Sequence, residues 1–355
     1  MSNKETLFFK DKPIFGLDIG YSSVKVLQVE PSGKKQTITG YGATAFTAGA
    51  IKEGVITDQE TIAKATHELF DKHLVGDITT RRVVLSIPAA RSYNRNVHLP
   101  KLNNKELEDA INLEVEQYIP VPRDELYVDY SQIRATAEEL ELLVVAVPKK
   151  IIDSYLNLAK ILNLEVVGVQ TSIAAAGRLF LQSESTDTPT VLIDFGSLSS
   201  DLTIYDKGLI ITSTVTGGGD NFSEVIASTL GVTKQEAHII KTKYGLGVSK
   251  KQREITEGLT PTLQQMTKEI KRMIRYYEER TDTERHITQV VTMGGGASMP
   301  GLSEYMTNLL RIPVRMCDPW QNLDFGGLQP PNTVEKSMYV TVAGLALTPP
   351  KELFS

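Results

Sequence analysis

The feature that most constrains this chain is an apolar pattern that breaks and then resumes. Ile14 to Glu30, IFGLDIGYSSVKVLQVE, runs apolar, turns at an Asp-x-Gly step, and continues with Val24, Val26 and Val29 apolar and Lys25 and Gln28 polar. That spacing predicts a β-hairpin with a short polar tip. It differs from a glycine turn that opens a helix, where the helix dipole holds a phosphate. At a hairpin tip any phosphate must be held by loop amides. Gly20 has no Cβ, so the amides of Tyr21, Ser22 and Ser23 can point into one concavity. Asp18 ends the incoming strand, where a hydrated Mg2+ is a natural partner because magnesium keeps most of its waters. Lys25, on the return strand, can reach back to a phosphate as a point charge. Taken alone, the same residues also make a surface hairpin whose Asp and Ser close a turn.

The design recurs. Val191 to Lys207, VLIDFGSLSSDLTIYDK, has a second apolar strand, an Asp-x-Gly turn at Asp194 and Gly196, a tip carrying Ser197 and Ser199, and an alternating return strand. Two such hairpins can hold a polyphosphate, with Asp18 and Asp194 as the metal-facing carboxylates, and the duplication predicts two similar halves facing each other across a cleft. A third cluster, Gly217, Gly218 and Gly219, precedes a helix with Asp220 or Asn221 expected as its N-cap. A fourth, Gly294, Gly295 and Gly296, follows an apolar strand and leads to Pro300-Gly301 at a helix start.

These motifs, in this order over nearly the whole chain, resemble the actin-like ATPase superfamily, which includes sugar kinases, heat-shock chaperones and bacterial cell-division proteins. Within it, LEVEQYIPVPRDELYVDY at Leu113 to Tyr130 and YVTVAGLAL at Tyr339 to Leu347 resemble the PilM family of type IV pilus assembly. The resemblance implies an α/β, ribonuclease H-like fold of two halves around a nucleotide cleft, with a small αβ subdomain inserted in the first half. It implies ATP or ADP with Mg2+ as ligand, and as partner the cytoplasmic tail of a PilN-like inner-membrane protein, bound in a groove of the inserted subdomain. Gln170 stands where such proteins orient the attacking water, and a neutral amide is a poor general base, so hydrolysis is expected to be slow or absent unaided: at most a weak ATPase. Glu236 and Lys241 fall where ribose and adenine contacts arise in the resemblance, and equally read as solvent-facing charges. Two departures bear on turnover: Tyr21 replaces a small hydroxyl residue at the first tip, and Leu198 replaces a glycine or small polar residue at the second. The alternatives are a filament former of the cell-division type, for which the ending TPPKELFS makes no amphipathic membrane helix, and a small-molecule kinase with Asp201 as its base.

Composition is consistent with this. The 355 residues carry a net charge of -5, which argues against a general nucleic-acid binder. A single cysteine, Cys317, allows no intrachain disulfide and fits a reducing compartment. No stretch reaches the roughly 20 apolar residues of a bilayer span, and the amino terminus lacks a secretory core. The expectation is a cytoplasmic protein, without direct membrane insertion, reaching the membrane through its partner; self-association stays open.

Along the chain, the expected organisation is a first half at 1–84 and 166–186, an inserted subdomain at 85–165, and a second half at 187–355 with helices at about 222–286. Helices are expected at Asp58 to Leu74, Lys105 to Tyr118, Lys150 to Leu162, Asn221 to Leu230 and Lys234 to Tyr244, with a long amphipathic helix through Leu263, Met266, Ile270, Met273, Ile274 and Tyr277. Pro120 and Pro122 stop the second of these, and Gln182 to Pro189 marks the boundary between halves. His67 and His73 lack ligand spacing, and Glu106, Asp109 and Glu116 read as a solvated helix face.

Overall fold

The computed structural model describes residues 12–32, 35–183, 188–206, 208–280 and 285–353. The amino-terminal stretch and parts of the expected turn at Pro31 to Gln36 and boundary at Gln182 to Pro189 lie outside those residues. The chain forms two compact units, one of Met1–Pro88, Ile151–Glu184 and Asp318–Ser355, the other of Ala89–Lys150 and Ser185–Cys317.

The first unit opens with the expected hairpin. β1 (Phe15–Ile19) pairs antiparallel with β2 (Ser23–Ser32), bringing Asp18 opposite Lys25, and β2 pairs with β3 (Lys35–Ala45). A small hairpin of β4 (Ile51–Lys52) and β5 (Val55–Ile56) leads to α1 (Gln59–Glu68). Asp58 caps α1 by accepting from the Thr61 amide at 3.0 Å, and Ile62, Ala65 and Leu69 are buried as the spacing predicts. The helical course runs on to His73, close to the expected end, but its last turn, Leu69–His73, is a π turn, after which β6 (Leu74–Gly76) pairs with β3. β7 (Arg82–Ile87) is parallel to β1 and buried throughout, as a central strand must be.

The chain then builds part of the second unit: β8 (Tyr93–Pro100), α2 (Asn104–Tyr118), β9 (Leu126–Ala135) and β10 (Glu139–Pro148). The strands form a sheet in the order β8-β10-β9. One face packs Val97, Leu99, Leu142 and Val144 against Leu107, Ile111 and Val115 of α2. An Asn103/Glu106 capping box starts α2 and the chain leaves it at Ile119, just before the two prolines.

α3 (Lys149–Ile161) leads back to the first unit, where β11 (Glu165–Thr171) pairs parallel with β7 and α4 (Ser172–Ser183) follows. The second unit resumes with β12 (Thr190–Phe195), β13 (Ser199–Tyr205) and β14 (Leu209–Thr216), then α5 (Gly219–Leu230), α6 (Lys234–Lys243) and the 29-residue α7 (Gln252–Arg280). α7 buries Leu263, Met266, Ile270, Met273 and Tyr277 in the core, with Ile274 packed partly buried against it. β15 (Gln289–Met293), α8 (Leu302–Leu310) and β16 (Val314–Met316) complete the unit.

The sheets are built to one plan. In the first unit the order includes β3-β2-β1-β7-β11, and in the second it is β14-β13-β12-β15-β16. In each, a three-stranded antiparallel meander is extended by two parallel strands beside the first hairpin strand.

The carboxy-terminal segment, grouped with the second half from sequence, packs in the first unit instead. β17 (Leu323–Asp324) extends the first sheet beside β3. All seven residues of α9 (Val340–Ala346) are buried, against β1, β2 and α4. α10 (Pro350–Leu353) sets Leu353 over Gly168 of β11. The apolar run at Tyr339 to Leu347 requires this, since a helix apolar all round must be covered on every side.

Candidate functional site

Each unit carries its own half of the expected chemistry. At the first tip, the Gly20 amide donates to the Ser23 carbonyl at 2.9 Å and closes the turn, leaving Tyr21, Ser22 and Ser23 half-buried around it. Asp18 is not an unpaired carboxylate. Lys25 Nζ lies 2.9 Å from its Oδ2, and Ser86 Oγ donates to its Oδ1 at 2.6 Å. Lys25, expected to reach a phosphate, is engaged by Asp18. Ser86 was not singled out from sequence, although a lone polar residue in the buried strand VVLSIPA was a usable signal.

Gln170 sits in register with Ser86 on the neighbouring strand. Its amide is engaged at both ends: Oε1 accepts from Arg178 at 2.6 Å, and Nε2 donates to Thr348 Oγ1 at 3.4 Å. Arg178 also donates to Glu352 at 2.5 Å and to the Gly344 carbonyl at 3.2 Å. The residue expected to orient water thus belongs to a network that fastens the carboxy-terminal helices to β11 and α4.

In the second unit the second tip and the third glycine cluster are laced together. The Gly219 amide donates to the Gly196 carbonyl at 2.8 Å, the Asp220 amide to Ser197 at 2.9 Å and the Gly217 amide to Leu198 at 3.2 Å. Those three donors are therefore spent within the protein. Gly218 must be glycine, because a Cβ there would strike the carbonyls of Gly196 and Ser197. The N-cap of α5 is Gly218, in extended conformation, not Asp220 or Asn221. Asp220 lies in the first helical turn, where it accepts from Ser197 Oγ at 2.8 Å. Ser199 begins β13 opposite Thr216.

The fourth cluster borders Asp194. Gly294 has φ +81, and a Cβ there would collide with Asp194 Oδ1 and the Phe195 carbonyl. Gly296 packs on Phe195, whereas Gly295 has open space where a Cβ would stand. Pro300-Gly301 starts α8 as expected, Gly301 being the N-cap.

α6 places Lys241 against the same loops. Its ammonium is buried and donates to the Gly219 carbonyl at 2.5 Å. Burial lowers its pKa, opposed by the nearby Asp220 carboxylate. Glu236, the other expected ribose contact, is exposed and occupied locally: it accepts from the Thr233 amide at 2.9 Å and the Thr233 hydroxyl at 2.8 Å in a capping box. The Thr-x-x-Glu spacing carried that signal. Asp201, across from Asp194, accepts from Thr214 Oγ1 at 2.7 Å, and burial raises its pKa.

Among the described residues no group of three or more His, Cys, Asp or Glu side chains could hold a metal, and no helix is long and apolar enough to cross a membrane. Asp18 in the first unit and Asp194 in the second each stand next to the last residue of a first hairpin strand.

The duplicated hairpin-and-parallel-strand sheets, with an aspartate closing the first strand of each, define a protein of the actin-like ATPase fold. The family described as type IV pilus assembly protein PilM matches residues 16–349, and the chain belongs to it. Its fold is similar to a chain of a PilM–PilN type IV pilus biogenesis complex, with 22% identity, 94% of this chain and 97% of that one covered, and a TM-score of 0.81. MreB5 of Spiroplasma citri, solved with AMPPNP, is similar at 14% identity over 94% of this chain and 95% of its own, with a TM-score of 0.53. The cell division protein FtsA of Bacillus subtilis is 22% identical over 345 residues, 85% of this chain and 78% of its own length.

Proposed function

We propose that this protein is an ATP-binding cytoplasmic scaffold of the type IV pilus assembly platform. It binds the cytoplasmic amino-terminal tail of a PilN-like protein, lies at the inner face of the cytoplasmic membrane through that partner, and hydrolyses ATP slowly or only under stimulation. The observation that carries the reading is the repeated plan of the two sheets, each presenting an aspartate and a serine-rich tip. Tip amides and the Lys25 ammonium serve phosphates, Lys241 and its loop serve the nucleoside, and Asp18 and Asp194 face the hydrated metal. A bound Mg2+ would neutralise phosphate charge. Slow hydrolysis is supported by the tie between the Gln170 amide and the carboxy-terminal network, through Arg178 and Thr348, and by its being a neutral amide, a poor general base. Family membership and the likeness to a PilM–PilN chain support the partner.

Single-turnover hydrolysis with protein in excess over labelled ATP, with and without a PilN-like tail peptide, tests this. Retained ATP together with nucleotide-dependent peptide affinity is the expected result. Prompt hydrolysis that ignores the peptide would replace the scaffold by an ATPase or kinase.

A further inference from the structure

β14 is the outer strand of the second sheet, and part of it also lies close to β8. Outer strands are usually protected by lysines, prolines or bulges that turn other chains away. β14 reads LIITSTVT, with no charge and no proline; its one register shift lies near its start, between the pairs Leu209–Tyr205 and Ile211–Ile204, and its β-branched residues beyond it favour further strand pairing.

Its second half, from Ser213 to Thr216, walls a cavity of about 870 Å³ whose other walls are α7 and Leu309 of α8. None of the described lining residues belongs to the three-stranded sheet. The α7 wall carries Lys268, Lys271, Arg272 and Arg275 within about two turns. Glu269 is the single carboxylate among the described lining residues, and it is already used: Arg272 donates to it at 2.5 Å and Ser213 Oγ at 2.7 Å. Both contacts lower its pKa. Lys268, Lys271 and Arg275 are exposed and make no ion pair among the described residues. On a chain of net charge -5 this wall is a local reversal of sign. A second cavity of about 410 Å³ continues along α7 past Lys271 and Arg275 and ends at Glu278 and Glu279.

We propose that this groove docks an acidic segment of a partner protein, which adds to β14 as an extended strand and faces its acidic side chains to Lys268, Lys271 and Arg275. The spacings agree. Alternate residues of a strand recur on one face about every 6.6 Å, and α7 presents a cation about every 5.4 Å turn. Main-chain pairing supplies affinity, and the cations select the sign of the alternate side chains. A single-stranded nucleic acid fits less well, because its bases need aromatic platforms and the described lining residues include none.

The test uses the full chain and a fluorescein-labelled ten-residue peptide alternating Glu and Thr. Controls are the same peptide with Gln in place of Glu, and a ten-nucleotide oligothymidylate. Binding of the Glu peptide should weaken more than tenfold in the Lys268→Glu/Lys271→Glu variant, whose melting midpoint should not move. It should weaken with added salt, and amide exchange at residues 213–216 should slow when the peptide is present. Equal binding of the Gln peptide, indifference to the charge reversals, tighter binding of the oligonucleotide, or unchanged exchange at β14 would each overturn the proposal.

Discussion

Lys25 Nζ lies 2.9 Å from Asp18 Oδ2 across the first hairpin, with side-chain exposures of 10% and 12%. Because the two residues are direct register partners, the hairpin itself sets the pair, and Ser86 from β7 holds the other carboxylate oxygen. The carboxylate expected to face a metal is therefore oriented from two sides before any ligand arrives.

Removing only the cation leaves a buried charge. Lys25→Met should cost about 3–5 kcal/mol, and the Asp18→Asn/Lys25→Met pair should cost less than the two single changes summed. Urea unfolding of the four proteins checks this.

Mg-ATP at about 100 times its dissociation constant should stabilise the parent protein by about 2.7 kcal/mol. Asp18→Ala, compared with itself with and without Mg-ATP, should lose most of that increment. An unchanged midpoint for the parent in thermal melts would remove nucleotide binding from the reading.

Gly294 and Gly295 form a paired test. Gly294→Ala must carry a side chain at φ +81 and collide with Asp194, whereas Gly295→Ala meets open space. The first should cost roughly 1–3 kcal/mol and abolish the Mg-ATP shift; the second should do neither.

Asp201 carries a pH prediction. Burial raises its folded pKa above the ordinary carboxylate value, so the folded state binds the proton more tightly. Its contribution to stability is full below the unfolded pKa and is lost as pH rises through the folded one. Asp201→Asn keeps an oxygen for Thr214 and removes the titration. The variant should therefore gain on the parent as pH rises from strongly acid towards neutral, measured by unfolding across that range.

Gln170→Ala should cost about 1 kcal/mol through its lost hydrogen bonds, and single-turnover hydrolysis should not change. A large fall in hydrolysis would instead assign Gln170 to orienting the attacking water.

Glu236 sits three residues after Thr233, and that spacing announces the capping box the two residues form. Asp220 is a favoured capping residue, but the amides of Gly219 and Asp220 are taken by carbonyls of the second tip, so α5 begins earlier, at Gly219 with Gly218 as its N-cap.

The sequence by itself determined the two hairpins, the amphipathic course of α7 and the duplicated plan, because period-two and helical alternation and glycine steps act over a few residues. That Lys25 pairs with Asp18 came from the observed register of the hairpin. Only the tertiary structure decided that Ser86 holds Asp18, that Arg178 and Thr348 occupy Gln170, and that Asp318–Ser355 packs in the first unit. These partners lie 68, 8 and 178 residues apart along the chain for the three side-chain contacts. Parallel pairing and helix packing select such neighbours by burial and shape, and no local spacing encodes that choice.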